Sequence, residues 1–299
     1  MTKVSAELAP IMDEDVAAVA DFLRTNMNGR VPWEKACATA PWQTALPNHG
    51  FMLRDGERVV GTLLAVYSER SVAGHVERFC NMGSWCVLPE YRSRSISLLN
   101  AIMKQPGCDH FTVLSPGDGS QEVLEWLKFR RLDTAAAIVP NLPWPTLPGQ
   151  VRISTDRAVI ERTLAGRELD IYRDHLRALA AHHVVLTRGV ESCYVIYREL
   201  RYKGVPAVAV ILYVSNPDLL QRSITSLSRH LLVRCGLVAT LAELRLIGRA
   251  PRVSFVLDGW WPKMYRSETL EPDQIDYLYS ELVCVGVRSG GAVLPVFDN

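Results

Sequence analysis

Several things are missing from this 299-residue chain, and each absence removes a class of function. Its seven cysteines (Cys37, Cys80, Cys86, Cys108, Cys193, Cys235 and Cys284) form no Cys-x-x-Cys pair. Their odd number and irregular spacing argue against a zinc ribbon or a disulfide framework. Most lie among apolar residues, so the natural setting expected is the reducing cytoplasm. The only adjacent histidines, His182 and His183, would point to opposite faces of a strand, so no metal is expected. Charge excess is absent too: 33 Lys and Arg against 32 Asp and Glu leave a net +1. Broad salt-driven binding to nucleic acid is therefore not expected. The longest aliphatic run, Val205–Val214, is too short to span a bilayer and reads as a buried strand. The opening MTKVSAELAPIMDEDV has no apolar signal region and carries acids early. A phosphate loop with its lysine is also missing, which weakens a nucleotide-binding reading.

What is present is 48% hydrophobic and 22% charged, enough for two proper cores. Asp13–Met27 has helical apolar spacing with acids in its first turn. Gly50–Arg54, Asp55-Gly56 and Arg58–Tyr67 read as a hairpin. Phe79–Val87 is a strand and Ser95–Lys104 a helix closed by Pro106-Gly107. Phe111–Leu114, Gln121–Phe129 and Asp133–Val139 follow as strand, helix and last strand. This is an α/β (α+β layered) order. Pro140–Gly149 carries four prolines and is expected to be extended. The expected division is 1–140, a connector at 141–149, and 150–299.

The second half repeats the order. Asp156–Ala181 is helical in pattern, Ser192–Leu200 and Val205–Val214 are strands around Tyr202-Lys203-Gly204, and Leu219–Cys235 is a helix. Thr240–Ile247 and Arg252–Leu257 are further strands. The run Trp85-x-Val87-x-Pro89-Glu90 leads to Arg94-Ser95-Ile96-Ser97-x-Leu99. Tyr213-x-Ser215-x-Pro217-Asp218 leads likewise to Arg222-Ser223-Ile224-Thr225-x-Leu227. The offset is 217 − 89 = 128 throughout, without a gap. Similarity at one spacing, with matching elements around it, points to duplication of one unit; the alternative is chance likeness between two strand-to-helix junctions.

The segment Asn81–Ile102 carries the chemistry. A buried strand, Val87-Leu88-Pro89-Glu90-Tyr91, and a polar loop opening a helix would present free backbone N–H groups to an anion. It resembles the cofactor motif of the GNAT acyltransferases, a strand ending Val-x-Pro and then Arg/Gln-x-x-Gly-x-Gly/Ala. Arg92 takes the first position, and Ser95 and Ser97 replace the two glycines. The useful resemblance covers Val59–Leu132. It implies two GNAT-like domains, each a mixed sheet flanked by helices. It also implies acetyl-CoA or another acyl-CoA as donor, with no metal. The cofactor would lie against Trp85, Cys86, Val87, Arg92, Ser93, Arg94, Ser95, Ile96 and Ser97. Glu77, just before the strand, is the expected base, with His75 second. Trp126 stands where the family often has a tyrosine acid, so either another group such as Ser115 serves or the acid is dispensable. A solvated Glu77 and a plain turn residue at Ser115 are the simpler readings of those two side chains.

The second half has no glycine between Pro217 and Leu227, and Leu219-Leu220 replace Tyr91-Arg92. It reads as a degenerate copy, with Trp260, Trp261, Tyr265, Tyr277 and Tyr279 crowding its end for a cleft, an interface or a core. The function expected is transfer of an acyl group to the amine of a small-molecule acceptor. The alternative is a GNAT-like binding or scaffold protein that has lost the chemistry.

Overall fold

The computed structural model describes residues 6–38, 40–42, 48–145, 151–202 and 205–285. The turn residues Lys203-Gly204 and the end of the proline-rich stretch, 146–149, lie outside them. Among the described residues, fourteen strands form two seven-stranded mixed sheets. The first six are β1 Glu7–Pro10, β2 Gly50–Asp55, β3 Arg58–Val72, β4 His75–Val87, β5 His110–Val113 and β6 Arg130–Arg131. Next come β7 Ala136–Pro140, β8 Arg152–Ser154, β9 His182–Arg188, β10 Glu191–Tyr202 and β11 Val205–Val214. Last are β12 Ala239–Glu243, β13 Phe255–Leu257 and β14 Met264–Arg266. The helices are α1 Val16–Asn26, α2 Trp33–Ala38, α3 Ser95–Lys104, α4 Asp118–Trp126, α5 Arg157–Thr163, α6 Gly166–His175, α7 Pro217–Cys235, α8 Leu244–Ile247 and α9 Glu281–Cys284.

The first sheet runs β1-β2-β3-β4-β5-β14-β6 and the second β8-β9-β10-β11-β12-β7-β13. The two orders correspond strand for strand. In each, the fourth strand leads through a helix to a parallel fifth: β4 to β5, and β11 to β12. In each, the sixth strand comes from the other half of the sequence. Ala136–Pro140 was expected to close the first sheet; it pairs antiparallel with β12 instead. The place beside β5 is taken by β14. The chain accordingly divides at Leu132/Asp133, with Lys263–Ile275 and Tyr279–Gly286 returning to the first unit.

Local chemistry explains the elements. Gly56 at φ +58° closes the β2–β3 hairpin. Ala73 and Gly74, both at positive φ, turn β3 into β4. Without an Asn-Gly or Asp-Gly signal there, β3 and β4 run several residues longer than their sequences suggest. Helix α7 starts at Asn216-Pro217 and ends at Gly236, whose φ is +71°, a proline start and left-handed glycine stop. Asp156–Ala181 is two helices rather than one, and Leu244–Ile247 is helix rather than strand. The first core packs Leu63, Met82, Leu98, Leu99 and Ile102 against the sheet. The second packs Val195, Ile211, Leu219, Leu220 and Leu227.

Candidate functional site

Strands β4 and β5 pair only at Phe79–His110, Cys80–Phe111 and Asn81–Thr112. Beyond that point Met82–Val87 has no strand partner on this side among the described residues, while its other edge stays bonded to β3. Thr62 lies opposite Cys86 and Leu64 opposite Gly83, so Ser84 and Trp85 bulge against Leu63 alone. Ser84 takes φ +53° to do so. A bulge of this kind bends a strand and ends its pairing, and it leaves an edge able to accept an extended ligand.

At the outer end of this edge is a cleft of about 500 Å³ lined by Trp85–Pro89, Arg92, Ser95, Gly119 and Ser120, with Asn26 beside them. Two helices begin there, α3 at Ser95 and α4 at Asp118, and neither has a side-chain cap. Ser95 N–H and Ser120 N–H are already bonded, to Arg92 O and Gly117 O, so what the cleft offers an anion such as a phosphate is the positive end of two helix dipoles and the exposed Arg92. Of the expected residues, Trp85, Cys86, Val87, Arg92 and Ser95 line the cleft. Ile96 packs against the core instead. Arg94 reaches Ala6 O at 3.4 Å, and Ser97 Oγ donates to Arg94 O at 2.6 Å. Ser93 is exposed on the connecting turn, Pro89–Arg94. That turn is a short 3₁₀ helix pinned by a hydrogen bond from Tyr91 OH to Asp55. Burial raises the Cys86 thiol above its usual range, so it stays neutral.

The second unit closes the equivalent position. Asn216 Oδ1 accepts from Leu219 N at 2.9 Å, so a side chain already caps α7. Leu219 and Leu220 are buried where the first unit places Tyr91 and the exposed Arg92.

The inner end of the open edge holds a carboxylate that the sequence did not reveal. Glu281, in α9, is 5% exposed and lies beside Gly83. Its backbone N–H donates to Asn81 Oδ1 at 2.8 Å, and its Oε1 accepts from Ser115 Oγ at 3.0 Å. Asn81 Nδ2 donates onward to Thr112 Oγ1 at 3.0 Å, tying the same group to β5. A cavity of about 60 Å³ opens here, lined by Ala36, Cys37, Asn48, His49, Tyr67, Ser84, Glu281 and Cys284, among others. Burial pushes the Cys37 and Cys284 thiols up to about 12, so both are neutral at pH 7.

Glu77 does not join this group. It lies inside β4 near its start, not ahead of it, and His110 Nε2 is 2.8 Å from its Oε2. At about 3.3 Å per residue, Trp85 is roughly 26 Å further along the strand. His75 starts the same strand and is further away still. Trp126 ends α4 with 72% of its surface exposed. Ser115, just past β5, is the one expected catalytic residue found at the opening. Of the late aromatics, Tyr265, Tyr277 and Tyr279 are buried.

Solved structures share this architecture. A GCN5-related N-acetyltransferase from Anabaena variabilis superposes with a TM-score of 0.59, covering 88% of this chain and 72% of that one at 12% identity. The fold is that of the GNAT superfamily. A GCN5-related N-acetyltransferase from Kribbella flavida gives a TM-score of 0.55 at 13% identity, over 88% of this chain and 71% of that one. A candidate acetyltransferase from Pyrococcus horikoshii gives 0.53 at 10% identity, over 95% and 97%. No family model and no curated protein matches the sequence. The GNAT fold occurs twice in this chain, as the two corresponding sheet orders require. Among the described residues no helix is long and apolar enough to cross a membrane.

Proposed function

We propose that this chain transfers an acyl group from acyl-CoA to an amine, with the chemistry in the first unit. The observation that carries the reading is the unpaired edge of β4. It joins a phosphate-type cleft at Arg92 and Ser95 to a buried carboxylate at Glu281. Gly83 to Val87 spans about 13 Å of strand, a reach comparable to an extended pantetheine arm. Arg92 and the two helix starts would hold the diphosphate. The backbone of Met82–Val87 would pair with the pantetheine amides. Acetyl and longer acyl groups both belong to the proposal.

The chemistry then falls to Glu281 and Ser115. The amine nitrogen bonds to the thioester carbonyl carbon and the carbon–sulfur bond breaks. Glu281 takes the proton the nitrogen loses. Ser115 gives its hydroxyl proton to the departing sulfur and is reprotonated by Glu281, to which it is hydrogen-bonded. The proton removed from nitrogen thus ends on sulfur. Free thiols throughout the described cysteines suit a cytoplasmic setting.

A second reading, a binding protein without turnover, is favoured by Ser95 and Ser97 in place of glycines. The test is thiol release from acetyl-CoA and longer acyl-CoAs over an amine panel, with CoA affinity measured by calorimetry. Glu281→Gln should lower kcat by about 10²–10⁴-fold while CoA affinity holds. Full kcat in that variant removes Glu281 from the role. CoA binding with no thiol release from any donor selects the binding protein.

A further inference from the structure

We infer that β13 is a self-association edge, through which two copies of this chain pair antiparallel about a two-fold axis at Phe255. Phe255, Val256 and Leu257 pair with Ile138, Ala137 and Ala136 of β7, and β13 ends its sheet, with no strand on its other side among the described residues. Its side chains stand clear of the protein on both faces. Phe255 is 60% exposed, and Val256, which points the opposite way, is 54% exposed. Val253, just before them, is 49% exposed. An open edge of this kind is a template for another strand unless something blunts it. The other strands that end a described sheet are blunted by charge: β6 is Arg-Arg, and β8 carries Arg152. β1 carries Glu7 and closes on Pro10. β13 has no charge, proline or bulge inside it.

The flanks say what pairs with it. The segment reads Arg252-Val253-Ser254-Phe255-Val256-Leu257-Asp258, with a cation three residues before Phe255 and an anion three residues after. Arg252 and Asp258 are both exposed, and neither has an ion pair or hydrogen bond among the described residues. Centred on Phe255, an antiparallel pair sets Arg252 of each copy against Asp258 of the other. It also sets Val253 against Leu257 and Phe255 against itself. Alternation puts these three apolar residues on one face as a continuous row, and the charges on the other face. Arg252 and Val253 lie in a bend ahead of the strand, and pairing extends the strand over them. A parallel pair would instead set Arg252 against Arg252 and Asp258 against Asp258. The sequence is thus complementary to itself in the one direction that a two-fold axis produces. Seven residues a side fall well short of the roughly 20–30 in a standard interface, so the association is weak and reversible. The exposed charges fix register more than they add strength.

Sedimentation equilibrium of the full chain, at low salt and over about a hundredfold range of concentration, should show a reversible monomer–dimer system. Phe255→Lys brings two cations together at the axis and should weaken the dimer at least about tenfold. Arg252→Asp and Asp258→Arg each create two like-charged pairs and should each weaken it about tenfold. The double variant exchanges the charges and should return to within about twofold of wild type. That recovery is not expected of variants that merely misfold, and all three side chains are exposed. A monomer at every concentration overturns the inference, whatever other strand the edge accepts. So does a dimer indifferent to Phe255→Lys, or a double variant no tighter than its two parents.

Discussion

Gly83 offers a sensitive test because its missing side chain makes room for Glu281. A Cβ at Gly83 would stand 3.3 Å from both Cγ and Cδ of Glu281 and 3.4 Å from its Cβ. That is a few tenths of an ångström too close. Glu281 cannot retreat freely, since Asn81 holds its N–H and Ser115 its carboxylate. In Gly83→Ala the carboxylate should therefore shift slightly. The lower chain entropy of alanine, worth up to about 1 kcal/mol, should roughly offset the crowding. In Gly83→Val the Cγ atoms reach about 1.5 Å further, so the carboxylate must move by about that much. A displacement of about 1 Å costs on the order of a hundredfold in rate. The expectation is less than about a tenfold loss of kcat for alanine and about a hundredfold for valine. Valine should also cost about 1–3 kcal/mol of stability through overpacking. CoA affinity should hold in both, since Arg92 and Ser95 lie at the far end of the open edge. Thiol-release kinetics, CoA calorimetry and urea denaturation would be run side by side. A folded Gly83→Val protein with wild-type kcat would refute the placement of chemistry beside Gly83.

Other outcomes are as specific. Arg92→Ala should weaken CoA binding by about 1 kcal/mol, the low end for a charged hydrogen bond because Arg92 is exposed. Arg222→Ala, in the second unit, breaks its exposed pair with Glu191 and its hydrogen bond to the Asp218 carbonyl and should leave CoA affinity unchanged by calorimetry. Burial lowers the pKa of His183 to about 4, and its neutral form is held by Tyr194 OH and the carbonyl of His175. The unfolded chain takes up this proton near pH 6.5 and the folded chain only near pH 4. Stability should therefore be full above pH 6.5 and fall by up to about 3 kcal/mol on the way down to pH 4. Urea midpoints for wild type and His183→Gln should show this loss shrinking in the variant; equal losses would remove His183 as a cause.

How much of this was legible depended on how far apart the cooperating residues lie. The strand, Pro89 and helix α3 are contiguous, and their chemistry is local, so the cleft could be read from the sequence. The 128-residue offset led to equivalent places too, since Pro89 and Pro217 each follow the fourth strand of their own sheet. Glu77 was misplaced because Ala73-Gly74 gives no strong turn signal. The strand was read from Phe79, and Glu77 seemed to stand at its edge. Glu281 gave no signal at all. It reaches Gly83 across 198 residues, since 281 − 83 = 198, and nothing in Ser-Glu-Leu-Val-Cys marks a reactive carboxylate. The exchange of β7 and β14 was hidden for a related reason. Short apolar strands such as Ala-Ala-Ile-Val-Pro fit either sheet, and only the full set of pairings decides between them.

That exchange bears on the order in which the protein can be made. A growing chain that has emerged as far as Pro140 holds β1 to β6, yet β6 has nothing to pair with until β14 arrives. The strand it has just produced, β7, must wait for β12. The carboxylate beside Gly83 comes later still. Translation therefore cannot finish one half and then begin the other. The first sheet stays incomplete until β14 has left the ribosome, and its site stays unarmed until Glu281 has followed.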